Sequence, residues 1–284
     1  MFRDILQSLN IIENSKIENP LVETLRLFDL LAGGAIRRAT LTSSPEQKID
    51  LTAAVQKRKQ GVPWEYILGK AHFMGQLFEC NSDTLIPTDE TRTLVNAALE
   101  SIREKEGVEN DLVLIELGTG CGNIAVSLAL HSNHVKILAS DISPTAVSVA
   151  QQNVDRFRLG DRVSLYSGDM FSPFRTMEYE GRIDYVVCNP PYIPTGSLNK
   201  LSREIIDHEP RVALDGGPYG IDIYRRLIVD SFIMLKPKGM LFFEIGERQE
   251  KIAARLLEKN GGYEDITYFE DRGKIRALRA RKRG

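Results

Sequence analysis

Asn189, Pro190, Pro191 and Tyr192 are the consecutive residues of this chain best suited to chemistry. They follow the apolar run Ile183–Cys188, which reads as a buried strand. Ligands of open α/β sheets bind outside the carboxyl ends of strands, so this turn is expected to face a crevice. Two prolines fix the backbone and remove two N–H donors, leaving nearby carbonyls without competing partners. The Asn189 side-chain oxygen and the Pro190 carbonyl are then placed to accept both hydrogens of one planar –NH2 group. Tyr192 offers a ring to stack on that group, and Ile193 an apolar wall. An amide or aromatic amine is a poor nucleophile because its lone pair is delocalised. Two fixed acceptors bias the nitrogen toward sp3 character and stabilise the positive charge that forms on it. No strong base is required, because the proton becomes acidic once the nitrogen has bonded to carbon. The plain alternative is a rigid proline turn after a strand.

A second turn raises the chemical reading. Gly118-Thr119-Gly120-Cys121-Gly122 follows Glu116 and Leu117 at the end of an apolar run. Its spacing is G-x-G-x-G rather than the dinucleotide G-x-G-x-x-G. A second acid, Asp141, ends the next apolar run about 20 residues on, where an acid can hold ribose hydroxyls. This suits a nucleoside without a pyrophosphate, S-adenosylmethionine above all. The predicted cofactor contacts are the backbone of Gly118, Thr119, Gly120 and Gly122, Asp141 with Ile142 on the ribose, and Glu116 near the methionine ammonium. Asp169, after a third strand, faces the adenine amino group, and Asn189 borders the same pocket. The two turns together imply a methyltransferase acting on a planar nitrogen. Adenine N6, cytosine N4 and a glutamine amide all remain possible targets.

The elements that must position these residues change along the chain. Phe2, Ile5, Leu6 and Leu9 repeat at helical spacing, and Leu21, Leu25 and Phe28 continue the stripe after Pro20. Ser44-Pro45-Glu46-Gln47 opens a further helix with a Ser cap and Pro at the first helical position. Residues 1–71 thus read as a small all-α unit. Residues 72–90 read as a hairpin connector. From residue 91 onward, strands and helices alternate, the pattern of a parallel α/β sheet. Strands are expected over Leu112–Leu117, 135–139, 163–166, Ile183–Cys188, 240–245, 263–269 and 275–279. Residues 193–219 show no clear period and read as a long functional loop.

Composition sets outer limits. The 284 residues predict one large domain or two smaller ones. Hydrophobic residues make up 42% and charged residues 27%, which excludes a disordered or collagen-like chain. Thirty-seven Lys and Arg against 39 Asp and Glu give a net charge of -2, which argues against a polycation built to hold nucleic acid. Cys80, Cys121 and Cys188 are far apart and odd in number, so a reducing cytoplasm is expected rather than a disulfide framework. The four His residues show no ligand spacing, and no metal is expected. The N-terminus does not read as a signal peptide, and no apolar run approaches the ~20 residues of a membrane span. The basic run Arg272, Lys274, Arg276, Arg279, Arg281, Lys282 and Arg283 reads as a solvated strand face, with a landing patch for an acidic partner or RNA as the alternative.

Over most of its length the sequence resembles the HemK/PrmC family, the protein-(glutamine-N5) methyltransferases that modify the Gly-Gly-Gln motif of peptide-chain release factors. The likeness is carried in order by Val62-Pro63 with Tyr66-Ile67-Leu68-Gly69, the Gly118 turn, Ser140-Asp141-Ile142-Ser143, Gly168-Asp169 and the Asn189 turn. It continues through Glu209-Pro210 with Ala213-Leu214-Asp215-Gly216-Gly217, then Glu244-Ile245-Gly246 with Gln249, and Asp271-Arg272-Gly273-Lys274-Ile275-Arg276. The resemblance implies a seven-stranded Rossmann-like class I methyltransferase domain over 91–284, preceded by a helical substrate-recognition domain and the hairpin. It implies S-adenosylmethionine as methyl donor and a release factor as protein partner. Asn189 and Pro190 would bind the target glutamine amide, with Pro191, Tyr192 and Ile193 completing the pocket. The family's Ile-Pro-Arg-Pro-Glu-Thr segment reads Ile86-Pro87-Thr88-Asp89-Glu90-Thr91 in this chain. That departure keeps open another protein glutamine, or an amide or amine of a small metabolite, as the acceptor; an exocyclic amine of DNA or RNA is a separate alternative, which the near-neutral charge counts against.

Overall fold

In the computed structural model, which describes residues 10–13, 19–31, 51–105 and 112–284, helices come first. The expected stripe at Phe2–Leu9 and the Ser44 helix start lie outside the described residues. Helix α1 (Pro20–Leu31), α2 (Leu51–Lys59) and the short α3 (Trp64–Leu68) share a small core of Ile12, Leu27, Val55 and Trp64. The buried face of α1 is not the one its leucines suggested: Leu21 and Leu25 are exposed, while Thr24 and Leu27 are fully buried. Thr24 is admitted because its hydroxyl donates to the Pro20 carbonyl at 2.7 Å, so no polar atom is stranded. Ion pairs tie the unit together. Arg58 bridges Glu23 and Glu204, and the Trp64 Nε1 donates to Glu23 at 2.6 Å.

The connector expected over 72–90 holds a hairpin that begins two residues earlier, at Lys70, and ends at Glu79. Strands β1 (Lys70–Phe73) and β2 (Gln76–Glu79) pair antiparallel around Met74 and Gly75. Both turn residues have positive φ, 47° and 78°, as a two-residue turn of matching twist demands.

Helix α4 (Thr91–Arg103) then leads into the sheet. Its order of elements is β3 (Leu112–Leu117), α5 (Asn123–His131), β4 (Val135–Asp141), α6 (Pro144–Arg156), β5 (Val163–Ser167) and β6 (Ile183–Cys188). A 3-10 turn (Thr195–Lys200) and the short helices α7 (Arg203–His208) and α8 (Arg211–Leu214) fill the stretch expected to be an irregular loop. Helix α9 (Asp222–Met234), β7 (Leu235–Glu244), α10 (Glu250–Asn260), β8 (Tyr263–Asp271) and β9 (Lys274–Lys282) complete the chain.

Seven strands form one sheet in the order β5-β4-β3-β6-β7-β9-β8. The parallel α/β pattern holds for β3 to β7, and the closing strands add an antiparallel end: β9 runs antiparallel to both β7 and β8. The reason is local. Only Arg272 and Gly273 separate β8 from β9, both at positive φ, whereas a parallel return needs a crossover of a dozen residues or more. Two apolar layers cover the sheet, one built on α4, α5 and α6 through residues such as Leu94, Ile124 and Val154. The other rests on α9 and α10 through Tyr224, Leu227 and Leu257. Strand β6, at the middle, is buried at all six positions.

The register decides what meets at the sheet's edge. Ser140, Leu117, Cys188 and Phe243 lie in one row across β4, β3, β6 and β7. The next residues along those strands are Asp141, Gly118, Asn189 and Glu244. The chain passes from β3 to one side of the sheet and later from β6 to the other, so the β3–β6 boundary is the topological switch point.

Helix α6 starts beside this row. Ser143 is its cap, accepting from the Ala146 amide at 3.2 Å, with Pro144 at the first helical position. Ser143→Ala is expected to cost about 1 kcal/mol, the usual worth of a side-chain cap. Denaturant melts should show that loss as a lower midpoint with an unchanged slope.

Candidate active site

A cleft opens over the switch point. It is lined by Gly118, Thr119 and Gly120 of the Gly turn, by Asn189–Pro191, by residues 83–88 and by Pro210, Val212 and Ala213; Gly122, expected at the cofactor, does not reach its wall and instead turns the chain into α5. Gly118, Gly120 and Gly122 all have positive φ, 68°, 56° and 81°, a backbone that side chains rarely tolerate. Gly122 also caps α5, and a Cβ there would press on Ala150 at 3.2 Å. The turn is therefore built to bring backbone, not side chains, against a ligand.

Asp141 stands at the end of β4 and lines the cleft. Its Oδ2 accepts from the Gly120 amide at 2.8 Å and its Oδ1 from the Ser143 amide at 2.9 Å. A carboxylate has about four acceptor positions, so two remain for vicinal hydroxyls. Ile142 and Asp169 also line the cleft, and Asp169 Oδ2 accepts from Arg226 at 2.6 Å. Arg226 was not anticipated. Both partners are about half exposed, so the pair adds little stability.

Glu116 is fully buried beneath the Gly turn rather than in the cleft wall. Its Oε2 accepts from Thr119 Oγ1 at 2.9 Å, while Oε1 meets no donor at hydrogen-bond geometry. Burial pushes this carboxyl up to about 8, with the Thr119 hydroxyl and the Ala125 amide pulling the other way and Asp141 adding to the rise. A buried acid with an orphaned oxygen beside a backbone cradle is what a cationic ligand would satisfy. The residues present therefore fit the positively charged methionine end of S-adenosylmethionine, with Asp141 fitting its ribose.

Asn189, Pro190 and Pro191 line the cleft as expected, whereas Tyr192 and Ile193 do not reach its wall. Tyr192 packs against the apolar layer under α9, and its O–H donates to Glu244 Oε1 at 3.2 Å. Its carbonyl accepts from Gln249 Nε2 at 2.9 Å. The Ile193 amide donates to the Leu214 carbonyl at 3.1 Å, fastening the end of the turn to α8. Gly216 makes this possible, since a Cβ there would sit 2.8 Å from the Pro191 carbonyl oxygen.

Thr91 and Glu244 carry the Asn189 side chain from behind, and neither was singled out from the sequence as a site residue. Asn189 Nδ2 donates to Thr91 Oγ1 at 3.0 Å, and Thr91 Oγ1 donates to Glu244 Oε2 at 2.7 Å. A single acid inside the apolar run of β7 is the signal that marks Glu244; Thr91 has none. The 86–91 segment does lie at the cleft mouth, where Ile86, Pro87 and Thr88 form the rim. The Ile86 amide donates to Glu209 Oε2 at 3.4 Å, joining this rim to the base of α8.

The thiols are not nucleophiles. All three are buried, and desolvation pushes Cys80 up to about 12 and Cys121 and Cys188 well above the ordinary thiol range. Several cations of the basic C-terminal run pair at the surface, Lys274 with Glu247, Arg276 with Glu90 and Arg281 with Asp265, while Arg272 stays exposed. Lys282 Nζ donates to the Phe232 and Leu235 carbonyls. Among the described residues, no helix is long and apolar enough to cross a membrane.

An ordinary nucleoside site has no use for a proline-stripped acceptor corner set one strand away from its Gly turn. A class I methyltransferase, an S-adenosylmethionine-dependent enzyme, has both, and the model of the methyltransferase small domain matches residues 98–234. The fold is shared with the hMettl16 catalytic domain solved with MAT2A 3′UTR hairpin 6, at a TM-score of 0.56 and 16% identity over 81% of each chain. A methyltransferase from Pyrococcus furiosus gives 0.52 at 19% identity, over 81% of this chain and 100% of that one. Closer relatives are found by sequence. The release factor glutamine methyltransferase of Moorella thermoacetica is 35% identical over 263 residues, 90% of this chain and 88% of the relative. That of Bacillus subtilis is 34% identical over 268 residues, 92% and 90% of the two chains. The chain belongs to the release factor glutamine methyltransferase family.

Proposed function

We propose that this enzyme methylates the side-chain amide nitrogen of a glutamine in the Gly-Gly-Gln motif of a peptide-chain release factor. The observation that carries the reading is Asn189 at the carboxyl end of β6, next in the sheet to the Gly118 turn and with its amide nitrogen already engaged by Thr91. S-Adenosylmethionine supplies an electrophilic methyl group on a sulfonium, which needs no metal. Asp141 holds the ribose hydroxyls, and Gly118, Thr119 and Gly120 pack their backbone against the donor while Gly122 shapes the turn from behind. Ile142 covers the ribose, Asp169 serves the adenine edge, and Glu116 supports the methionine end from beneath the Gly turn. Asn189 Oδ1 and the Pro190 carbonyl accept the two amide hydrogens of the target. In doing so they fix the plane of the –NH2 and favour the developing positive charge on nitrogen. The acidic proton that remains after transfer leaves to water along the cleft. Pro191 and Ile193 keep the corner rigid, and Tyr192 backs it.

Residues 1–71 serve as the release-factor recognition domain, residues 72–90 as its connector and 91–284 as the catalytic domain. The named activity of the family relatives supports a release factor over a small molecule or a nucleic-acid amine. Three buried, unbridged thiols suit the reducing cytoplasm. Labelled methyl donor incubated with purified release factor, ribosomal RNA and DNA tests the assignment. Label is expected on the release factor alone, at its Gly-Gly-Gln glutamine by peptide mass mapping, and a Gln→Ala release factor should take up none.

A further inference from the structure

Asn189 is useful only with its side-chain oxygen toward the target, since a half-turn of the amide presents a donor in its place. The two orientations have almost the same shape, so packing alone does not choose between them. The hydrogen-bond chain behind the residue does. An ionised carboxylate can only accept, so the single proton of the Thr91 hydroxyl goes to Glu244 Oε2, 2.7 Å away. Thr91 Oγ1 must then accept, from Asn189 Nδ2 at 3.0 Å and from the Thr88 hydroxyl at 3.4 Å. That leaves Asn189 Oδ1 as the end of the amide not engaged by Thr91. The other oxygen of the same carboxylate takes the Tyr192 O–H. Thr91 is the first residue of α4 and Glu244 the last of β7, both 2% exposed.

Resting on the amide-methylation reading above, we infer that Thr91 and Glu244 are positioning residues: a carboxylate–hydroxyl relay that polarises the Asn189 amide so its oxygen, not its nitrogen, meets the target. The relay has a sense that protonation reverses. A neutral Glu244 can donate to Thr91 Oγ1, Thr91 can then donate to Asn189 Oδ1, and the amide turns over. Burial pushes Glu244 up to about 7; hydrogen bonds from Thr91 and Tyr192 and the charge of Arg276 pull it down, while Glu90 raises it. Cys188 and Tyr224 also face it, and both are held neutral by burial. The competent form is the ionised one, so turnover rises with pH through the region of 7. Glu116 is also pushed up by burial, to about 8, but it lies under the donor site and is read in the KM for methyl donor rather than in kcat.

Thr91→Val keeps the shape and removes the relay; Thr91→Ser keeps the hydroxyl. In steady-state assays on release factor, Thr91→Val should lower kcat about tenfold, the worth of one such hydrogen bond, with the KM for donor unchanged. Its kcat should also lose the rise around pH 7. Thr91→Ser should restore both. A Thr91→Val enzyme at the wild-type rate, or a Thr91→Ser enzyme impaired as badly, overturns the inference. A second readout needs no turnover: in protein labelled with 15N at asparagine, the Asn189 side-chain amide signals should shift with a midpoint near 7 in wild type and Thr91→Ser. Signals that ignore pH across that range also overturn it. If the amide signals behave as expected and the wild-type enzyme leaves release factor unlabelled, the substrate assignment falls and the positioning role stands.

Discussion

Asn189→Ala leaves an enzyme that binds its methyl donor and transfers almost nothing. The expected loss in kcat is about 100- to 1000-fold, the usual effect of deleting one preorganised group that stabilises charge forming in the transition state. The Ala variant keeps the fold, because the Asn189 side chain is only half buried and its one hydrogen bond, to Thr91, is replaceable by water. It keeps the donor site as well, since Asp141 and the Gly118 turn are anchored by bonds that do not involve Asn189. Calorimetry with S-adenosylhomocysteine should therefore give a Kd within about twofold of wild type, well below the tenfold that each 1.4 kcal/mol represents. Normal methylation by this variant would remove the mechanism, and a lost Kd would mean that Asn189 acts through the donor site instead.

Asp141→Asn should show the opposite split. In the wild type each carboxylate oxygen holds one backbone N–H and keeps capacity for one hydroxyl. The amide would turn an NH2 toward either the Gly120 or the Ser143 amide, setting donor against donor. Charge-assisted hydrogen bonds contribute roughly 1.5–3 kcal/mol each, so the combined loss should weaken donor binding by about 100-fold. With saturating donor, kcat should recover to within a few-fold, because the acceptor corner on β6 is untouched. A variant with unchanged donor affinity and collapsed kcat would place Asp141 in the chemistry rather than in binding.

The parts of the site legible in the sequence are those fixed by backbone and position. Three glycines at alternate residues after an apolar run, an acid ending the next run and two prolines after a buried strand describe the floor of the cleft, because each feature acts through the strand end it occupies. What was not legible depends on long-range side-chain geometry. Thr91 comes from the start of α4 and meets residues 98 and 153 positions away, which no local pattern reports. Tyr192 read as a stacking ring because it follows the prolines, yet Glu244 and Gln249 turn it to the back of the corner. The face of α1 was misread for a related reason. Thr24 satisfies its own hydroxyl on the preceding turn and so enters a core that hydropathy reserves for leucines. The antiparallel end of the sheet follows from the five residues between the last two expected strands, 263–269 and 275–279, too few for a parallel crossover.

The pairing of Leu117 with Cys188 has a wider meaning for how this enzyme can change its target. Adjacent strands stand about 4.8 Å apart whatever their side chains, so the gap between the donor cradle and the acceptor corner is set by main-chain spacing. The rims at 83–88 and 210–213 grow from other elements and can be rebuilt without altering that gap. Retargeting to a different amide-bearing loop is thus a matter of recarving the doorway while the reacting span stays constant.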